Sequence, residues 1–428
     1  MTDRPRRRLG LDLTPLRTSR DFRLVFTSGT VTSFGSFITY VTIPFQVAQL
    51  TDDPLMVGLL GVCELVPLLV MAFVGGALAD FVDRRLLVRG SELALAALCG
   101  ALLLNSLAPS PHLWPLFLIA ALTATVDGLQ RPALEAMLPR LVRPEEIPAT
   151  MALRSLGSEI AQLGGPALAG VLIASVDLAW VYAFDLLTFA VSVLCLTLVK
   201  AVPPPPDADR PSLRSVVTGL RYARSRPELL GTYLVDINAM FFGMPQALYP
   251  FLALNLGGPK VLGLLYAAPA AGSLLATLAS GWTSHIHRHG LGVLIAATLW
   301  GVGIVGAGLS TMLWLTLLCL AFAGAADMIS GIFRMTIWSQ TIPDHLRGRL
   351  AGIEMLSYTT GPLLGQLRSG LMARTSLGIG GSIWVGGVLC VAGTAVMALA
   401  LPKFARYDGR DGLARKQAED SAWAARAV

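Results

Sequence analysis

Asp127, Arg131 and Glu135 recur every four residues in a stretch otherwise rich in leucine, alanine and threonine. Side chains four apart project from one face of a helix, so these three form an acid, base, acid ladder. Proton uptake at Asp127, an anion grip at Arg131 and simple mutual neutralisation are all open to it. Asp327 and Arg334 stand two turns apart in another apolar stretch and admit the same readings. Glu64 and Glu159 sit alone in apolar runs, either as proton carriers or as partners of an arginine such as Arg131 or Arg154. Asp185 and Asp236 read as closer to the ends of their runs, where water or linker arginines reach them, and rank below the others.

The surroundings give these residues their weight. Of 428 residues, 54% are hydrophobic and 14% charged, and the mean hydropathy is +0.64. That is the composition of a polytopic membrane protein. An ionisable side chain at the centre of a span costs about 2.5–3.5 kcal/mol on insertion scales, so each one retained needs a partner, a water-filled cavity or a task.

With about 20 apolar residues required per span, helices are expected near 22–48, 55–79, 86–107, 113–138, 148–174 and 178–199, then 229–254, 260–283, 291–309, 313–340, 348–373 and 377–401. The expected organisation is a basic N-terminus (1–21), a six-helix half (22–199), a linker (200–228), a second six-helix half (229–401) and a tail (402–428). Arginines test this count. Arg84, Arg85, Arg89, Arg140, Arg143, Arg210 to Arg226, Arg288, Arg347 and Arg349 fall on one side with both termini, which makes that side cytoplasmic. The opposite loops hold almost no basic residues, Lys260 and Arg374 excepted. The net charge of +6 is thus spread as topology signals rather than gathered into a nucleic-acid patch.

In the linker, Pro203 to Pro206 favour an extended spacer. Leu213, Val216, Val217 and Leu220 opposite Arg214, Arg221 and Arg224 suggest a short amphipathic surface helix, with an ordinary solvated linker as the alternative. Spans one and seven mix polar and aromatic groups that suit bulky amphipathic molecules: Ser33, Ser36, Thr39, Tyr40 and Gln46, then Asn238, Phe241, Phe242 and Gln246. Five cysteines without paired spacing predict neither disulfides nor a metal site. His285, His287 and His289 read as part of a basic loop rather than a metal site, no removable signal peptide is expected, and no phosphate loop of the ATP-hydrolysing kind occurs.

The halves echo each other: Leu138-Pro139 after the fourth span resembles Ile342-Pro343 after the tenth, and Gly165-Pro166 resembles Gly361-Pro362. At the end of the second span, Gly76, Asp80, Arg84 and Arg85 match the signature loop G-x-x-x-D-R-x-G-R-R of the major facilitator superfamily, with Phe81 and Asp83 departing from it. Further segments resemble the branch of enterobactin, drug and macrolide exporters: Gln130-Arg131-Pro132-Ala133-Leu134, the four-proline linker, Leu248-Tyr249-Pro250, Gly263 to Ala268, and Leu346-Arg347-Gly348-Arg349. Gly165, Pro166 and Gly170 resemble the fifth-span motif of exporting antiporters, with Ala169 in place of its first terminal glycine.

The resemblance implies an all-α integral membrane fold of twelve helices in two six-helix pseudo-repeat halves with cytoplasmic termini, in the cell membrane. It implies a proton-coupled exporter of a siderophore or amphipathic drug, monomeric, driven by the proton motive force without a cofactor, with lipid and a small molecule as its partners. Gly76, Asp80, Arg84 and Arg85 would gate the cytoplasmic side against Arg347, Gly348 and Arg349. An importer on the same scaffold is the alternative, and a polytopic membrane enzyme or signalling protein a further one.

Overall fold

A computed structural model describes residues 12–79, 83–201, 221–343 and 346–427, and the described residues outside the loops are helical. The first half comprises spans Arg20–Thr51, Pro54–Ala79, Arg84–Leu107, Leu113–Met137, Ile147–Ser175 and Leu178–Thr197. The second comprises a broken seventh span, then Pro259–Leu278, His289–Leu309, Leu313–Thr341, Arg347–Ala373 and Gly378–Ala400. Eleven of these segments are long and apolar enough to cross a membrane by composition alone. The eleventh span, Arg347–Ala373, has the length but is less apolar, and it packs within the bundle against the second, seventh and twelfth spans.

Local chemistry sets the helix ends. Ser19 caps the first span by accepting from the Phe22 amide at 3.1 Å, and Asp21 adds negative charge in the first turn. Trp114, Trp180 and Trp314 stand at the starts of the fourth, sixth and tenth spans, all at the end opposite the termini, and are exposed. They mark a membrane interface.

The expected continuous helix at 229–254 is corrected to a break. Helix Pro227–Gly243 stops, a 3-10 turn covers Gln246–Leu248, and Tyr249–Leu256 resumes. Pro245 has no amide hydrogen for the Phe241 carbonyl four residues earlier, and Pro250 leaves the Gln246 carbonyl in the same position. Backbone acceptors cannot stay unpaired inside a bilayer. Arg368 on the eleventh span donates from Nε to the Phe241 carbonyl at 3.2 Å, from Nη1 to the Ser382 carbonyl at 3.1 Å, and from Nη2 to the Phe242 carbonyl. Tyr266 donates to the Gln246 carbonyl at 3.4 Å. Arg368→Met should therefore lower stability by about 3 kcal/mol through stranded acceptors, read as thermal unfolding in detergent, with Arg368→Lys recovering part of the loss.

The tail expected at 402–428 contains a helix, Gly409–Ala427. It lies on the second half at the termini-bearing end. Glu419 accepts from the Tyr222 hydroxyl at 3.1 Å and ion-pairs with Arg226, Arg415 faces Glu228 at 3.7 Å, and Lys416 donates to the Ser339 carbonyl at 3.3 Å. Within the linker, Arg221 and Arg224 lie in a helical stretch at 221–225. The prolines and the amphipathic pattern before it lie outside the described residues.

Candidate functional site

The two halves close on each other at the end opposite the termini. Gly170 of the fifth span lies so close to Gly263 of the eighth that a Cβ on it would stand 2.7 Å from the Gly263 amide nitrogen. Across the second seam, a Cβ on Gly61 would stand 2.5 Å from the Leu363 carbonyl oxygen. Only glycine allows this approach. Arg374 and Asp53 add an ion pair at 3.6 Å across the same end, and a hydrophobic cluster from the second half continues into Ile38, Val41, Phe45, Ala169 and Ile173 of the first. Gly165, within the segment that resembles the export motif, packs on Phe37 of the first span.

Toward the termini, Tyr40, Asp127 and Asp327 are accessible although they sit well inside their spans, which marks a recess between the halves. Tyr40, 38% exposed, bridges the halves by donating to Gln246 Oε1 at 2.6 Å; its ring meets Tyr266 edge-on at 5.8 Å. Glu64 is within electrostatic reach of Tyr40, Tyr266 and Asp127. Asp127 is exposed, and neither carboxylate makes an ion pair within 4 Å among the described residues. Nearer the open end, Arg131 reaches Glu135 at 3.5 Å, Arg154 reaches the same carboxylate at 3.7 Å, and the Arg131 guanidinium stands 6.0 Å from the Tyr358 ring of the second half. Within the ladder Arg131 pairs directly with Glu135, while Asp127 makes no ion pair within 4 Å among the described residues and feels Arg131 only at longer range. Arg131 and Arg154 meet Glu135, not Glu64 or Glu159. Glu159 is partly exposed and makes no ion pair among the described residues.

Several expected positions need correction. Gln46 is buried and accepts from the Tyr182 hydroxyl at 2.7 Å, inside the first half. Asn238 is buried and donates to the Cys390 carbonyl at 3.0 Å and to Thr394 at 3.2 Å, tying the seventh span to the twelfth. Both satisfy polar groups within their own half instead of lining the cavity, because an amide buried in a bilayer needs a partner. Phe241 is half-buried and stacks edge-on with Phe242 at 4.9 Å.

Asp236, ranked low from sequence, is 3% exposed and forms a direct ion pair with Arg334, whose Nη2 also reaches Asp327 at 3.4 Å. Ser357 donates to Asp236 at 3.4 Å. Arg334 thus serves two acids on two spans, and Asp327 is the more exposed of them. Asp185, also ranked low, is 1% exposed and accepts from Thr39 and Thr188. Glu92, overlooked from sequence, is buried and accepts from Gln130 at 2.7 Å.

At the signature loop, Arg84 donates to the Ala136 carbonyl at 3.1 Å, at the end of the fourth span. Arg85 donates to the Leu196 and Thr197 carbonyls at 3.2 and 2.6 Å, at the end of the sixth. A cation at a helix C-terminus complements the helix dipole. Asp83, where the signature has glycine, caps the third span by accepting from the Arg85 amide at 2.9 Å. Gly76 falls in the last turns of the second span, and Arg347, Gly348 and Arg349 in the first turn of the eleventh. Asp80, Phe81 and the side-chain surroundings of Gly76 and of 347–349 lie outside the described residues.

Three broken-helix carbonyls held by partner spans, a seam of glycines and a recess between six-helix halves are transporter architecture. A sequence profile described as transmembrane secretion effector, within the major facilitator superfamily, matches residues 11–420. The chain belongs to this family. Secretion effectors of this family are multi-pass membrane transporters, and this one is a secondary transporter, not an enzyme. Among curated relatives, it is similar to the enterobactin exporter EntS of Citrobacter koseri, with 29% identity over 394 residues, 91% of this chain and 94% of that protein. The enterobactin exporter EntS of Shigella boydii is 30% identical over 361 residues, 83% of this chain and 86% of its own. In fold, this secretion-effector chain is similar to a bacterial homologue of the human lysosomal transporter Spinster, with a TM-score of 0.67 at 15% identity, covering 92% of this chain and 97% of that one. It is also similar to a POT family transporter solved with 5-aminolevulinic acid, with a TM-score of 0.71 at 12% identity, covering 90% and 97%.

Proposed function

We propose that the chain is a proton-coupled exporter that carries a bulky amphipathic molecule, an enterobactin-like siderophore or an amphipathic drug, out of the cytoplasm by alternating access. The arginine distribution supports a cytoplasmic setting for the termini-bearing end. On that reading, the cavity is open to the cytoplasm and sealed outside, the state in which an exporter loads. Similarity to enterobactin exporters along most of the chain supports the direction and the substrate class.

One observation supports the coupling: Glu64 lies within electrostatic range of both Asp127 and the tyrosine that bridges the halves at Gln246. Two ionised carboxylates repel, and a proton taken up by one removes that repulsion. Loading and release of the proton then change the charge beside the contact on which the halves pivot. Tyr40, 38% exposed and backed edge-on by the buried Tyr266, offers an aromatic face to a ring-bearing substrate.

The test uses purified protein in vesicles of known orientation with an imposed pH gradient, offered siderophores and amphipathic drugs. The wild type should accumulate one of these classes only when the gradient drives export. Glu64→Gln and Asp127→Asn should each bring gradient-driven transport close to the protein-free background while leaving substrate exchange at zero gradient intact. Full gradient-driven transport by both variants would overturn the coupling assignment.

A further inference from the structure

Far from the cavity, the termini-bearing face of the first half holds a cleft of about 400 Å³ between the start of the first span, the connection from the fourth span to the fifth, and the end of the sixth. Its size is that of a small-ligand pocket, about 300–1,000 Å³. Arg20, Arg140, Arg143 and Lys200 line it, against the two acids Asp21 and Glu146. The acids do not cancel the cations. The four cations outnumber the two acids, and Glu146 is held in place by the Thr18 hydroxyl at 3.0 Å and by the Arg143 amide at 3.3 Å. The side chains of Arg20, Arg143 and Lys200 form no ion pair among the described residues, and all three are exposed.

The cleft is also built rather than incidental. Ser19 donates to the Leu141 carbonyl at 2.6 Å, which fixes the first span against the four-to-five connection and holds Arg20 opposite Arg143. Leu141 and Val142 supply an apolar floor beside the cations. Cations arranged around a recess at the end of the spans, with an apolar floor, match a phosphate ester carried at a membrane surface. Guanidinium groups bind such oxygens in pairs.

We propose that this cleft binds a phosphate-bearing anion, supplied by the headgroup of an anionic phospholipid, with Arg20, Arg143 and Lys200 as its ligands. The lipid would anchor the first half at its termini-bearing face. This proposal is independent of the transported substrate.

The full chain in nanodiscs tests it, with native mass spectrometry reading retained lipid and a short-chain phosphatidylglycerol titrated against protein in phosphatidylcholine. The wild type should retain phosphatidylglycerol over phosphatidylcholine. The Arg20→Gln, Arg143→Gln pair should weaken binding about 30-fold, from about 1 kcal/mol per basic residue near a membrane surface. A control pair, Arg288→Gln with Arg406→Gln, lies outside the cleft and should leave it unchanged. Inorganic phosphate and glycerol phosphate are titrated in parallel. Competition by either at micromolar concentration would move the source from lipid to a free phosphate and overturn the lipid assignment. Equal lipid binding by the cleft pair and the wild type, with both folded by thermal unfolding, would overturn the site.

Discussion

Arg334→Met is expected to destabilise the second half by about 3–5 kcal/mol, the cost of breaking a buried ion pair from one side. The substitution leaves Asp236, 3% exposed, without its counter-charge and with only the Ser357 hydroxyl at 3.4 Å to replace it. Asp327 suffers less, since its side chain is 38% exposed and water reaches it from the cavity. The double variant Asp236→Asn, Arg334→Met should recover most of the loss, because no uncompensated charge then remains buried. Thermal unfolding of the purified protein in detergent reads both outcomes. Equal unfolding of Arg334→Met and the wild type would show that the pair is not what holds these spans together.

A second large effect is expected at the glycine seam. Gly170→Leu places its first side-chain carbon against the backbone of Gly263, where no flexible side chain can move aside. Overpacking of this kind costs about 1–3 kcal/mol. The cost falls only on the conformation closed at that end, so the equilibrium should shift about 5- to 150-fold toward the conformation open there. Transport should collapse while the protein stays folded. Labelling of single cysteines placed at Asp53 or Arg374 should become faster in the variant, and unchanged labelling would mean that the seam does not control closure.

Much of the architecture was legible in the sequence, since twelve apolar runs separated by alternating arginine-rich and arginine-poor loops carry strong signals. The break in the seventh span was also written there, in Pro245 and Pro250, but a hydropathy window averages across a proline. What lay beyond reach was the direction in which each polar side chain points. These helices are apolar on nearly every face, so no periodicity marks the side that meets the cavity. Gln46 and Asn238 therefore looked like Tyr40 and Gln246, although the first two satisfy their own half and the last two join the halves. Asp236 was undervalued for a related reason: its partner Arg334 lies 98 positions away on the tenth span, and only packing brings them together. Arg368 escaped notice because its purpose is set by a proline on another helix.

The docked C-terminal helix offers an instrument as well as a structure. Through Glu419, Arg415 and Lys416 it is fastened to Arg226, Tyr222, Glu228 and Ser339, all at one end of the second half. It therefore behaves as an outrigger on a rigid hull, swinging whenever that half tilts. A fluorophore attached near Ser421, paired with one near Thr18 on the other half, would convert the tilt into a distance signal in real time, with no label inside the path the cargo takes.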